Sequence, residues 1–319
     1  MMSTTPRIPG GPLVSVIMPC RNGMPFVGHA VERVLAQKAP LELLFVNVGS
    51  TDGSLREVSA IGDDRIRVIE APAGTAPGPA RNLAAGQARG DVLAFADADD
   101  LWRPDKLERQ LRLRSETGAA LVYSDCRVID SAGRVLGSYL SRHRPKEGTV
   151  TGRLLEENFV PLSTVLVDRA AFERVGGFHE GFRVACDYLF AIRLSLHASF
   201  ALDPETLVDY RIHDRNLTAD FRRTYAENVR VFDLLLADEA ASFGAAHLRR
   251  GRSLVLWRWA IREAMAGPAA WTQVYQRAGE AVRSAGLLTG VASLAFAVRG
   301  GLRNLPLRIR MDRARGGRG

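Results

Sequence analysis

The sequence is poor in cysteine, in lysine and in aromatic side chains, and it has no apolar run of membrane length. Its three cysteines, Cys20, Cys126 and Cys186, are too few and too scattered for a disulfide framework or a zinc site. That usage suits a reducing compartment such as the cytoplasm. Aromatic residues make up 7% of the chain and form no base-stacking array, so no nucleic-acid partner is expected. The longest apolar stretch near the end, residues 285–298, is 14 residues long, whereas a membrane span needs about 20. It reads as a buried or interfacial helix. The short apolar run near the start is preceded by Pro9, Gly10 and Gly11 and closed by Pro19, so it reads as a strand and not as a signal peptide.

Charge is unevenly spread. The chain carries a net +8, but residues 244–319 hold 14 Arg against 3 acids, a net +11. The first 243 residues therefore carry a net −3. A basic tail on a slightly acidic body suits an anionic surface, and the alternative is a solvated arginine-rich segment.

With 319 residues the chain can hold one large α/β domain with an appendage. Apolar, β-branched runs predict strands over 13–19, 41–48, 67–70, 92–96, 121–129, 162–167 and 206–212. Helical spacing predicts helices over 25–37, 55–60, 79–87, 101–117, 169–175 and 186–197. The alternation from 13 to 96 predicts an α/β fold, with a mostly parallel central sheet and helices on both faces. Residues 137–160 read as a looser connection. Beyond about 218 the pattern is helical, which predicts a catalytic domain over 1–218 and a helical, basic region over 219–319.

In such a sheet ligands bind beyond the carboxyl ends of the strands. Three polar segments fall there: PCRNG after the first strand, NVGSTDGS after the second, and FADADD, residues 95–100, after the fourth. Asp97 and Asp99 alternate along an extended chain, so both can point to one side. Paired hard oxygens suit Mg²⁺ or Mn²⁺ beside a diphosphate, and the bland alternative is an exposed acidic turn. Arg81 opens the helix after GTAPGP and either faces a nucleotide or lies in solvent. Asp187 starts a helix, where it is either a cap stabilised by the helix dipole or a general base. Arg211 and His213 alternate in YRIHD; they suit phosphate or metal contact, or a purely structural role.

Together, VSVIMPCRN, NVGSTDGS, GPARNLAAGQARGD, FADADDLWRPDKLE, GGFHEGFRVACDYLFAIRL and YRIHDRNLT resemble, in order, the segments of the family 2 glycosyltransferases of the GT-A fold. The resemblance covers about residues 13–218. It implies an inverting transfer of sugar from a nucleoside-diphosphate sugar, a UDP-sugar in first place, to a hydroxyl of a glycan or lipid-linked acceptor. Bacterial surface polysaccharide or glycolipid synthesis is the implied setting. By the resemblance, Pro19, Arg21, Asn22, Asn47, Val48, Arg81, Asp97, Ala98 and Arg211 line the donor site. Asp99, Asp97 and His213 hold Mn²⁺ or Mg²⁺, and Asp187 is the catalytic base. Arg21 replaces the family's aromatic, Asn47 and Val48 replace its paired aspartates, and Cys186 replaces the Glu before the base. Val48 cannot accept a hydrogen bond from an imide N–H. These replacements motivate the alternative of a non-catalytic nucleotide-sugar-binding or scaffold protein on the same fold. The tail is expected to rest on an anionic membrane surface at the inner face of the cell membrane, with 285–298 apolar side down and Arg299, Arg303, Arg308 and Arg310 near headgroups.

Overall fold

A computed structural model describes residues 11–265 and 270–286 and the isolated positions 289, 293, 294 and 298. Most of the apolar segment 285–298, and Arg299, Arg303, Arg308 and Arg310, lie outside the described residues. The chain divides into two compact units, Met1–Val150 with Val160–Ile212, and Thr151–Phe159 with His213–Gly319.

The first unit begins with strand β1 (Val14–Cys20), helix α1 (Val27–Leu35) and strand β2 (Leu41–Asn47). Every residue of β2 is buried, as is all of β1 except Pro19. Strands covered on both faces read as continuous apolar runs, which is why periodicity found them. Helix α1 buries Val27, Ala30, Val31 and Val34, the stripe that a 3.6-residue repeat puts on one face. Helix α2 (Ser54–Ala60), strand β3 (Ile66–Glu70), helix α3 (Pro77–Ala85) and strand β4 (Val92–Phe95) follow. Strands β3, β2, β1 and β4 lie side by side, all parallel. Their carboxyl ends therefore share one edge, as the sequence predicts.

The remaining strands make the sheet mixed. They are β5 (Leu101–Trp102), β6 (Leu121–Ile129), β7 (Val135–Ser138), β8 (Leu166–Asp168) and β9 (Phe200–Arg211). Strand β8 joins β4 and β6 antiparallel to both, and β9 runs parallel to β6. The expected helix over 101–117 starts later. Leu101 and Trp102 instead pair with Asp209 and Val208 of β9, and helix α4 spans Lys106–Thr117. A two-residue strand is too short for any periodicity to show. Of the expected strand over 162–167, Leu162–Thr164 forms a 3₁₀ turn. Helices α6 (Arg169–Arg174) and α7 (Cys186–Leu194) complete this unit.

The second unit is helical among its described residues. It contains the short helix α5 (Thr151–Leu154) and helices α8 (Phe221–Asp238), α9 (Ala240–Phe243), α10 (Ala245–Ala264) and α11 (Trp271–Ala285). The buried Glu263 carboxylate accepts from Arg222 Nε at 3.0 Å and from Trp259 Nε1 at 3.1 Å. A buried charge is tolerable when paired and hydrogen-bonded in this way. No described helix is long and apolar enough to cross a membrane.

Candidate active site

The turns after β1 and β2 are tied together. Asn22, with φ +56°, accepts from Thr51 N–H at 2.8 Å. Met24 N–H donates to Asp52 Oδ2 at 2.9 Å, and Gly23 N–H to Ser54 Oγ at 2.8 Å. Burial opposes charge on Asp52, but hydrogen bonds from Ser54 and Met24 hold its carboxyl below the usual range. Asp52 is thus a brace within this loop pair.

Asn47 and Val48 turn inward. Asn47 is 4% exposed and Val48 is 3% exposed. Asn47 Nδ2 donates to Glu70 at 2.8 Å and its Oδ1 accepts from Ser50 N–H at 3.1 Å. Pro19 is half-buried, and Arg21 is exposed beside it.

Strand β4 delivers the acids. Asp97, Ala98 and Asp99 are half-buried and Asp100 is buried. Arg81, in the second turn of α3 and 6% exposed, donates from Nη2 to Asp97 Oδ1 at 2.6 Å. Burial, with the neighbouring charge of Asp99, nonetheless pushes the Asp97 carboxyl above its usual value, against the pull of Arg81. Asp100 is pushed up further by burial and by the charges of Asp99 and Asp97. Its Oδ1 accepts from Arg211 N–H at 2.9 Å, while its Oδ2 is buried without a hydrogen-bond partner.

Asp187 stands in the first turn of α7. Burial raises its carboxyl to about 6, against a hydrogen bond from Tyr188 N–H at 2.7 Å and the positive charge of Arg81, while the negative charge of Asp97 adds to the rise. Arg81 therefore acts on two carboxylates, one at the end of β4 and one at the start of α7. The local frame around them is aromatic and tight. Arg81 lies 5.8 Å from the centroid of Phe178, which packs against Phe95, Phe172 and Phe190. A Cβ on Gly78 would come within 3.2 Å of Cys186 Cβ and of Phe178 Cβ. Gly78 therefore lets α3 approach the start of α7.

Sequence reading gave no role to Asn82, which clamps this frame. Its Nδ2 donates to Phe178 O at 2.7 Å and its Oδ1 accepts from Phe178 N–H at 2.9 Å. The sequence signal was only its place beside Arg81. Gly177 just before the clamp has φ +65°, and a Cβ there would meet Asn82 Oδ1 at 2.7 Å.

Arg211 ends β9 at 7% exposure and its guanidinium reaches Asp99 O at 3.0 Å. His213 belongs to the second unit. Its Nδ1 accepts from Arg215 N–H at 3.2 Å, which in a neutral ring places the proton on Nε2. The structure thus gathers Arg81, Asp97 and Asp187 in one electrostatic group, and Asp99, Asp100 and Arg211 in another. Asn22 and Asn47 are engaged in loop contacts.

The acid turn fits a hard divalent cation. Its oxygens are of the right type, the charge of Asp99 raises the carboxyls of Asp97 and Asp100, and one buried carboxylate oxygen of Asp100 is orphaned. Among the described residues, no three His, Cys, Asp or Glu side chains already form a metal cage.

This mixed sheet, with an acid turn at the end of β4, is the GT-A fold of nucleotide-sugar-dependent glycosyltransferases. It superimposes on Staphylococcus aureus TarS 1–349, solved in complex with UDP-GlcNAc, with a TM-score of 0.69 at 17% identity, covering 95% of this chain and 92% of that one. The mannosyltransferase PcManGT from Pyrobaculum calidifontis, solved with GDP-Man and Mn²⁺, gives 0.62 at 21% identity, covering 98% and 86%. The profile of glycosyl transferase family 2 matches residues 15–176, and the chain belongs to that family.

Among curated relatives, the Bacillus subtilis protein TuaG, named for teichuronic acid biosynthesis, is 34% identical over 162 residues, 50% of this chain. The succinoglycan biosynthesis protein ExoO of Rhizobium meliloti is 28% identical over 247 residues, 74% of this chain. The Escherichia coli UDP-Glc:alpha-D-GlcNAc-diphosphoundecaprenol beta-1,3-glucosyltransferase WfgD is 30% identical over 158 residues, 49% of this chain. The chain spans 63%, 69% and 60% of the lengths of these three relatives, respectively.

Proposed function

We propose that the protein is an inverting glycosyltransferase that moves a sugar from a nucleoside-diphosphate sugar to an acceptor hydroxyl in bacterial surface-polysaccharide or glycolipid synthesis. The observation that carries this reading is the acid turn at the end of β4, where buried Arg81 grips Asp97 at 2.6 Å, in a chain whose residues 15–176 match glycosyl transferase family 2. A carboxylate raised to about 6 is basic enough to accept a proton and still ionised at neutral pH.

In the reaction, Asp187 takes the proton of the acceptor hydroxyl. The acceptor oxygen bonds to the anomeric carbon as the bond from that carbon to the diphosphate oxygen breaks. The proton stays on Asp187 and the electron pair leaves with the nucleoside diphosphate. Attack from the face opposite the leaving group inverts the anomeric centre. Arg81 pairs with Asp97 and opposes the rise that burial causes in its carboxyl, and its charge also favours the ionised form of Asp187. Asp99 and Asp97 would hold Mn²⁺ or Mg²⁺, which when bound supplies charge neutralisation for the departing diphosphate. Pro19, Arg21 and Ala98 border the donor path along the strand ends.

The names of the relatives support a glycan or lipid-linked acceptor. The basic composition of residues 244–319 supports contact with an anionic membrane surface, which co-sedimentation with anionic against neutral liposomes tests. Calorimetry with UDP, GDP, dTDP and CDP, each with Mn²⁺ and with chelator, tests the donor site. Tighter binding of one nucleotide with Mn²⁺ is expected, a UDP-sugar being the first candidate donor. Binding of a nucleotide sugar without transfer to any acceptor would favour the non-catalytic reading, and no nucleotide binding under any condition would overturn the transferase and favour a scaffold.

A further inference from the structure

The resemblance assigns Arg211 to the diphosphate. Its surroundings in the first unit point elsewhere. The side chain is 7% exposed. Nε donates to Asp99 O at 3.0 Å, and Nη1 donates to Asp130 O and to Ser131 O, both at 3.2 Å. Three of the five guanidinium N–H groups are thereby spent on main-chain carbonyls. One face of the group is covered by the Phe26 ring, whose centroid lies 4.6 Å from Cζ. The same residue's main-chain N–H donates to Asp100 Oδ1 at 2.9 Å. Arg211 therefore meets three separate segments: the acid turn, the end of β6 with its turn, and the start of α1.

We infer that Arg211 is a positioning residue, a clamp that fixes the acid turn carrying Asp99, and that it is not a ligand of the donor diphosphate. The physical reason is directional. A planar fork satisfies carbonyls lying in its plane on two sides, and a ring can stack on its face. Each contact removes a degree of freedom from the turn. A divalent site is sensitive to that freedom, because its ligands must be held close to a fixed geometry. This inference rests on the proposed donor site, but its readout does not require sugar transfer.

The test compares wild type with Arg211→Lys and Phe26→Leu by the affinity for Mn²⁺ alone, measured from the free-ion signal in electron paramagnetic resonance. Affinity for UDP and GDP in chelator is measured alongside, with thermal unfolding as the control for folding. Arg211→Lys keeps the charge and loses the fork. It is expected to weaken Mn²⁺ at least tenfold while metal-free nucleotide affinity stays within twofold. Phe26→Leu removes only the stack and is expected to weaken Mn²⁺ about threefold, so the inference stays testable even if Arg211→Lys does not fold. Unchanged Mn²⁺ affinity in the folded variants would overturn the clamp. A tenfold loss of metal-free nucleotide affinity in Arg211→Lys would make the residue a diphosphate ligand. If wild type bound Mn²⁺ but no nucleotide, the donor reading would fail while the clamp was still measured.

Discussion

Arg81 donates to Asp97 across 2.6 Å, and its charge also reaches Asp187 at the start of α7. One cation thus links a carboxylate at the end of a central strand to one placed by a helix about 90 residues later. Removing it should move both. Arg81→Met is predicted to shift the acid limb of the kcat/KM profile to higher pH, because the charge that lowers Asp187 is lost. A limb that stays in place would show that Arg81 acts on the donor alone.

The wild-type profile should itself rise with pH through about 6 and level off above it, since Asp187 must be ionised to accept a proton. The stability effect has the opposite sense. A carboxyl raised in the folded state favours folding while protonated, and that contribution is lost as pH rises through the folded value. Asp187→Asn should therefore be more stable than wild type at pH 8, by roughly 1–2 kcal/mol after allowance for partial exposure. The difference should vanish near pH 4. Melting curves of both proteins at the two pH values check this.

Asn82→Ala should cost about 1–3 kcal/mol of stability, because it strands both the N–H and the C=O of Phe178. It should also lower kcat more than it weakens nucleotide binding, since Phe178 backs Arg81. Denaturant unfolding with steady-state kinetics separates the two effects.

Gly78→Ala places a methyl group 3.2 Å from Cys186 Cβ, next to the proposed base. The start of α7 must shift by a few tenths of an ångström. A several-fold fall in kcat is predicted, with nucleotide affinity in chelator little changed. An unchanged kcat would mean that α7 gives way without moving Asp187.

Much of this was legible in the sequence because buried parallel strands announce themselves. Val14–Cys20, Leu41–Asn47 and Val92–Phe95 are apolar runs ended by polar turns, and that pattern alone locates the shared edge. Asp97, Asp99 and Asp187 stood out as acids beside apolar elements. What stayed hidden depends on contacts between distant residues. Nothing local distinguishes Asn82 from a solvent-facing helix residue until Phe178 is placed beside it. Leu101–Trp102 looked helical because its pairing with β9 lies more than 100 positions along the chain. The pattern around Arg211 shows only charge and spacing, while the carbonyls that its guanidinium meets come from Asp99, Asp130 and Ser131.

The central claim is that Asp187 takes the acceptor's proton. It is tested most directly by measuring sugar transfer and donor binding together in Asp187→Asn, once a nucleotide sugar has been shown to bind. The account predicts that transfer falls by a thousandfold or more, while affinity for the donor with Mn²⁺ stays within a few-fold. Transfer that survived in Asp187→Asn at a tenth of the wild-type rate or better would contradict it.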